Sequence, residues 1–281
     1  DDCMNLFEAE KATCVLGATP FVFDILEELR QHPRDLSSLR FFLCGGTTIP
    51  PKLFEDCRPF GIRLLSIYGS TESSPHSLVR LNDTREHTEE TDGCAVDGVE
   101  IRVVDDNRHE VPHGQEGEEA SRGPQVFVGY WGEPEMTARA LDADGWYYSG
   151  DYCRTDSEGR YIRITGRKKD IIVRGGENIS SREVEDIVLE YPGVREAAVV
   201  AMPDERLGER SCACVSMRPG APAMHLTDLV AFFDGRRVAK YKFPEYLVVL
   251  DALPRTSSGK LQKFALARMV RERVAAGQPS D

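Results

Sequence analysis

The chain has 281 residues, 41% of them hydrophobic, and a formal net charge of −12. That length suits two domains better than one. No apolar run approaches a membrane span, no secretory leader is recognisable, and the acidic balance argues against general nucleic-acid binding. The charge is uneven: residues 1–170 carry 19 Lys/Arg against 32 Asp/Glu, residues 171–281 carry 16 against 15. The basic run Arg255–Arg273 reads either as a solvated helix face or as a surface that meets phosphates. Eight cysteines without disulfide or Cys-x-x-Cys spacing, and six scattered histidines, disfavour zinc and point to reduced thiols in a cytoplasmic protein. A first residue other than Met leaves a processed chain or a fragment open.

Taken in order, residues 7–31 read as helical, with Phe21, Ile25, Leu26 and Leu29 on one stripe and Pro33 beyond the end. Leu39–Leu43 and Ile62–Tyr68 read as strands, each followed by a small polar loop of the kind at which open α/β sheets bind ligands. Residues 82–97 read as irregular. Val99, Ile101 and Val103 alternate with Glu100 and Arg102 as in a half-buried strand, and short strands continue to about residue 165 as a β-rich, barrel-like subdomain. The charged turn Arg167–Asp170 is the expected boundary between residues 1–169 and 170–281. Beyond it the pattern predicts a helix carrying Val184, Ile187, Val188 and Tyr191, opened by a Ser180/Glu183 capping box. Strands near 196–202 and 211–217, a helix near 227–238, a strand at 246–250 and a helix near 263–275 complete a small α+β domain.

Five segments have residue types suited to chemistry. Tyr68-Gly69-Ser70-Thr71-Glu72 combines close backbone approach, hydroxyls for a phosphate and a carboxylate for Mg²⁺; alternatively it is a turn with a surface glutamate. Gly45-Gly46-Thr47-Thr48 reads as a tight turn or as bare backbone against a planar base. Asp151, after Tyr147-Tyr148-Ser149-Gly150, is either a β-turn acid or a carboxylate for a ribose diol. Gly175-Gly176-Glu177-Asn178 is a strand-to-helix turn, or amides that hold a phosphate or line a tunnel. Leu253–Lys260 is not a Walker A loop, because Pro254 and Leu261 occupy the required Gly and Ser/Thr positions. It remains a hydroxyl- and Gly-rich loop presenting Lys260, which is either solvated or delivered to a reaction centre as a point charge.

Read in series, these segments, with Gly117–Trp131, Ile164–Ser180 and Pro254–Lys263, resemble the adenylate-forming superfamily of acyl-CoA synthetases, luciferases and peptide-synthetase adenylation domains. Arg163–Arg210 and the VAKYKFPEYL stretch look closest to bacterial short- and medium-chain fatty-acyl-CoA synthetases. The resemblance implies an α/β N-terminal part of mixed sheets, joined by a hinge at Lys169 to a mobile C-terminal α+β domain. It implies ATP, Mg²⁺ and coenzyme A, a carboxylic acid substrate, an acyl-adenylate and then a thioester. Gly45, Gly46 and Thr47 would lie against adenine, and Tyr68 near the base. Gly69 and Ser70 would belong to the ATP/AMP site, Thr71 would contact phosphate, and Glu72 would bind Mg²⁺. Asp151 would hold the ribose, with Arg167 beside it. Lys260 would bridge the acid and the α-phosphate, and in some members its counterpart carries a regulatory acetyl group. Gly175, Gly176, Glu177 and Asn178 would line the pantetheine tunnel. The family's upstream phosphate loop is not among these residues, so about the first half of a usual member, with part of the acyl pocket, is expected to be missing. Two alternatives stand beside a fatty-acyl ligase: an alicyclic or aromatic acid–CoA ligase or carrier-loading enzyme, and a non-catalytic nucleotide- or CoA-binding remnant.

Overall fold

A computed structural model describes residues 2–46, 49–256 and 260–275. The chain divides into two compact units after Ile164, just upstream of the charged turn.

The first unit opens with α1 (Asp2–Ala9), β1 (Cys14–Gly17) and α2 (Thr19–Gln31), so the helix expected over 7–31 is interrupted by a strand. Cys14-Val15-Leu16 is too short and too half-exposed to announce itself by periodicity. Pro20 at the first turn of α2 suits a helix start, where no backbone donor is needed. The buried stripe of α2 is Val22, Ile25, Leu26 and Leu29, while Phe21 faces out. β2 (Phe41–Cys44), α3 (Pro51–Cys57) and β3 (Leu64–Ser70) follow. Strands β1, β2 and β3 pair in parallel. Helices α2 and α3 pack Leu26, Leu53 and Phe54 with Phe42 and Leu64 into one core.

β3 turns back directly into β4 (Ser74–Leu78), antiparallel to it, and β5 (Cys94–Ala95) extends the sheet to five strands. The segment expected to be irregular holds α4 (Arg85–Glu90), capped by the Thr84 side chain accepting from His87 N. A second sheet, β6 (Glu100–Val104), β7 (Gly117–Arg122), β8 (Tyr147–Thr155) and β9 (Ile162–Arg167, whose last three residues belong to the second unit), is the β-rich part, with α5 (Pro134–Ala140) inserted before β8.

The second unit is a five-stranded sheet of β10 (Ile171–Arg174), β11 (Glu177–Ser180), β12 (Val194–Asp204), β13 (Gly208–Met217) and β14 (Tyr246–Val249). Residues along β12 and β13 alternate between its two faces. Val199, Ala213 and Val215 meet α6 (Ser181–Leu189) and α7 (Leu226–Asp234) through Val184, Val188, Leu229 and Phe233. Ala198, Val200, Cys212 and Cys214 meet α8 (Lys263–Ala275) through Leu266 and Val270. Cys212 and Cys214 are thus core thiols on one face of one strand; all eight cysteines are free. The capping box at α6 is half formed. Ser180 Oγ accepts from Glu183 N at 3.3 Å, while the Glu183 carboxylate turns to Lys242 at 2.6 Å.

Candidate nucleotide site

The parallel strands of the first unit end side by side at Gly17, Gly45 and the Tyr68–Ser70 segment. Gly45 N donates to Gly17 O at 3.1 Å, and a Cβ on Gly45 would meet Ile67 Cγ2 at 3.0 Å. The carboxyl ends of parallel strands are where such sheets bind ligands. Thr47 lies outside the described residues, as do residues 257–259.

Tyr68–Glu72 is not a loop after a strand. It is the end of β3 and the tip of the β3–β4 hairpin, with register shifting between Tyr68 and Gly69. Gly69 is required sterically: a Cβ there would lie 2.1 Å from Ser74 O and 2.6 Å from Pro75 Cα. Thr71 is exposed at the tip and Glu72 is half-buried. The segment Val126–Trp131, part of a stretch that carries the family resemblance, fixes Glu72 from the side. Phe127 N donates to Glu72 O at 2.7 Å, and Tyr130 Oη donates to Glu72 Oε1 at 3.0 Å. Burial raises the Glu72 carboxyl pKa, but hydrogen bonds from its own backbone, Tyr130, Ser70 and Tyr147 outweigh it and leave the pKa below the ordinary value. Glu72 is therefore an ordered, ionised carboxylate.

Asp151 stands within β8, not at a β-turn. Gly150 (φ +72°) bends the strand there, beside a register shift between Glu118 and Ala120 on β7. Gly150 N donates to Glu118 Oε1 at 3.0 Å and Asp151 N to Ser149 Oγ at 3.1 Å. Tyr68 Oη donates to Asp151 Oδ2 at 3.0 Å and lies 3.4 Å from Glu119 Oε2. Burial, then the charges of Glu119 and Asp151, push the Tyr68 phenol well above its usual pKa. Tyr68 is thus a protonated donor joined to Asp151. Below it His76 pairs with Glu119 at 3.2 Å, both without solvent exposure.

The first unit therefore brings together Tyr68, Gly69, Ser70, Glu72 and Asp151, with Gly45 against the neighbouring Ile67. Arg167, Lys169, Gly175, Gly176, Glu177, Asn178 and Lys260 belong to the second unit. Arg167 and Lys169 are exposed, Lys169 within a 3-10 turn over Lys168–Asp170. Gly175 (φ +60°) and Gly176 (φ +92°) are the two-residue turn of the β10–β11 hairpin, with Arg174 opposite Glu177. This corrects the expected strand-to-helix turn: α6 begins only at Ser181, so its N-terminal amides are not those of the glycine pair. Gly175 N donates to Leu207 O at 2.7 Å, and Arg174 Nε and Nη2 reach the Glu245 carboxylate at 3.0 and 2.8 Å. Glu177 and Asn178 are exposed. Lys260 is exposed on a loop whose base is closed by Thr256 N to Lys260 O at 2.8 Å and Gln262 N to Pro254 O at 2.9 Å. Close by in sequence, Lys263 Nζ reaches Ser181 Oγ at 2.9 Å, Glu185 at 2.7 Å and Asp170 at 3.8 Å.

Residues 1–131 match the family model for the AMP-binding enzyme, and residues 183–260 match that for the AMP-binding enzyme C-terminal domain. The chain belongs to the AMP-binding enzyme family. Within that family it is 62% identical over 98% of its length to a medium-chain fatty-acid–CoA ligase of Escherichia coli, of which it covers 48%. Among solved structures, ATP-bound MatB from Rhodopseudomonas palustris superposes with a TM-score of 0.89 at 30% identity, over 97% of this chain and 53% of that one. The o-succinylbenzoate CoA synthetase of Bacillus subtilis, in complex with its acyl-adenylate, superposes with a TM-score of 0.82 at 29% identity, over 94% and 53%. The chain thus spans about half the length of the AMP-binding enzymes it matches. Among the described residues no helix is long and apolar enough to cross a membrane.

Proposed function

We propose that these residues form part of an ATP-dependent acyl-CoA ligase that activates a fatty acid of medium chain length. The first half-reaction joins a carboxylate oxygen to the α-phosphorus of ATP and expels pyrophosphate. The second transfers the acyl group to the thiol of coenzyme A and releases AMP. The observation that carries this reading is Asp151, an acid held by the Tyr68 hydroxyl at 3.0 Å beside the ordered Glu72 hairpin, in a chain 62% identical to a medium-chain fatty-acid–CoA ligase.

In this reading Gly45, Gly46 and Thr47 lie against the adenine, with Tyr68 near the base, and Asp151 accepts both ribose hydroxyls, with Arg167 nearby. Gly69, Ser70 and Thr71 meet the phosphates. Glu72 is suited to a hard divalent cation. Its ordered, ionised carboxylate would hold Mg²⁺ together with substrate phosphates and water. When bound, that ion would neutralise phosphate charge. Lys260 approaches the acid and α-phosphate and offsets the negative charge that builds as two anions meet. For the second step Lys169 acts as the hinge, Lys260 withdraws, and Gly175, Gly176, Glu177 and Asn178 accompany the pantetheine arm. Element-terminal residues such as Lys169 commonly absorb such motions. Free thiols at all eight cysteines support a cytoplasmic setting.

The test is pyrophosphate release from ATP by the full-length protein, with a panel of acids, with and without coenzyme A. Acyl-CoA formation greatest with acids of medium chain length is expected. Turnover restricted to ring acids would redirect the substrate reading, and activity indifferent to coenzyme A with every acid would contradict the ligase.

A further inference from the structure

Beneath the proposed ribose carboxylate lies a buried ion pair for which the reaction above has no use. His76 on β4 and Glu119 on β7 have no solvent exposure. Burying charge is unfavourable unless it is paired and hydrogen-bonded, and here the partners define the protonation. His76 Nδ1 lies 3.0 Å from Ser74 O, and Nε2 lies 3.2 Å from Glu119 Oε1. The Ser74 carbonyl and the Glu119 carboxylate accept only, while the Ser73 hydroxyl at Nδ1 can accept or donate, so a ring protonated at both nitrogens satisfies all three partners at once. Ser73 Oγ, 2.9 Å from Nδ1, is then free to donate to Ser70 Oγ at 3.2 Å, and Ser70 donates to the Tyr147 hydroxyl at 3.3 Å. On the other side, Tyr68 Oη has one proton and two carboxylates within reach: Asp151 at 3.0 Å and Glu119 at 3.4 Å.

We propose that the His76–Glu119 pair positions the ribose-binding acid: the imidazolium neutralises Glu119, so Tyr68 commits its single proton to Asp151 and holds that carboxylate aimed. The proposal rests on the nucleotide reading of Asp151. The Tyr68 ring meets His76 edge-on, with centroids 5.0 Å apart, and Glu119 acts through its charge on Tyr147 and Cys153 of β8. Burial disfavours the imidazolium, but the Glu119 hydrogen bond and charge outweigh it and hold the His76 pKa above the ordinary value. The arrangement therefore persists to higher pH than an ordinary histidine would allow. It fails as pH rises through the raised His76 pKa, when Glu119 is left uncompensated and competes for the Tyr68 proton.

The experiment compares binding of ATP and of 2′,3′-dideoxy-ATP to the full-length protein, by calorimetry, for the wild type, His76→Gln and His76→Gln/Glu119→Gln. His76→Gln is expected to reduce the preference for ATP over the dideoxy nucleotide about tenfold, the scale of one charge-assisted hydrogen bond. The double variant is expected to recover that preference, because no second carboxylate competes. A purely structural role would weaken both nucleotides alike and would not be rescued. An unchanged preference in folded His76→Gln overturns the proposal. So does a wild-type preference that stays constant through the His76 titration, a measurement that needs no variant to fold. Nitrogen-15 shifts of His76 in the nucleotide-free protein separate the two layers. A neutral ring at neutral pH overturns the pairing even where ATP binds. An imidazolium in a wild type that ignores the ribose hydroxyls overturns the nucleotide reading, and the ribose role with it.

Discussion

The two units hold their candidate residues in opposite ways. In the first, Tyr68, Glu72 and Asp151 are fixed by hydrogen-bonded neighbours: Tyr130 and Phe127 on Glu72, Tyr68 and Ser149 on Asp151, His76 and Glu119 below. In the second, Lys169, Glu177, Asn178 and Lys260 are exposed, while their supports are anchored by Arg174–Glu245 and by the closed base of the Pro254–Gln262 loop. A pre-organised polar network suits groups that hold a ligand throughout a reaction, because their orientation is settled before binding. Exposed groups on firm supports suit groups needed for one step only.

The contrast can be broken at several points. The largest effect is expected at Lys260→Ala, which should slow adenylation about 10²- to 10³-fold and leave thioester formation from supplied acyl-adenylate within a few-fold of wild type. Rapid-quench assays of the two half-reactions check this. Gly69→Ala comes next. Its Cβ would meet fixed backbone at 2.1 Å, so the hairpin must shift, with a loss of about 3 kcal/mol in unfolding free energy measured by denaturant titration. The smallest is Gly176→Ala, at φ +92° with open space around it. Conformational strain of about 1 kcal/mol should leave adenylation unaltered and raise the concentration of coenzyme A needed for half-maximal thioester formation.

What the sequence makes legible follows from which interactions are local. The α6, β12, β13, β14 and α8 elements stand out because apolar spacing repeats within each segment, and the Tyr68–Glu72 and Pro254–Lys263 motifs because their residues are contiguous. The strand at Cys14–Gly17 is hidden in an apolar run that a helix would also explain, and short helices such as Pro51–Cys57 carry too few turns for a period. Ser180 and Glu183 have capping-box spacing, yet Lys242, 59 residues on, claims the glutamate. The glycine pair at 175–176 and Asp151 were ambiguous because a turn type depends on the strand opposite. His76 and Glu119 are 43 residues apart, and nothing local to either marks them as a pair. The pairing of β3 with β4 sets Tyr68 near His76, that of β7 with β8 sets Glu119 near Asp151, and side-chain contacts between the two sheets bring the four together.

The central claim is that one unit holds the nucleotide while the other supplies different residues to the two half-reactions about Lys169. Its most direct test is Lys169→Pro, which fixes φ at that position, with adenylation and thioester formation measured separately on the full-length protein. The account predicts near-normal pyrophosphate release in a single turnover and a crippled transfer to coenzyme A. Equal losses in both half-reactions would contradict it.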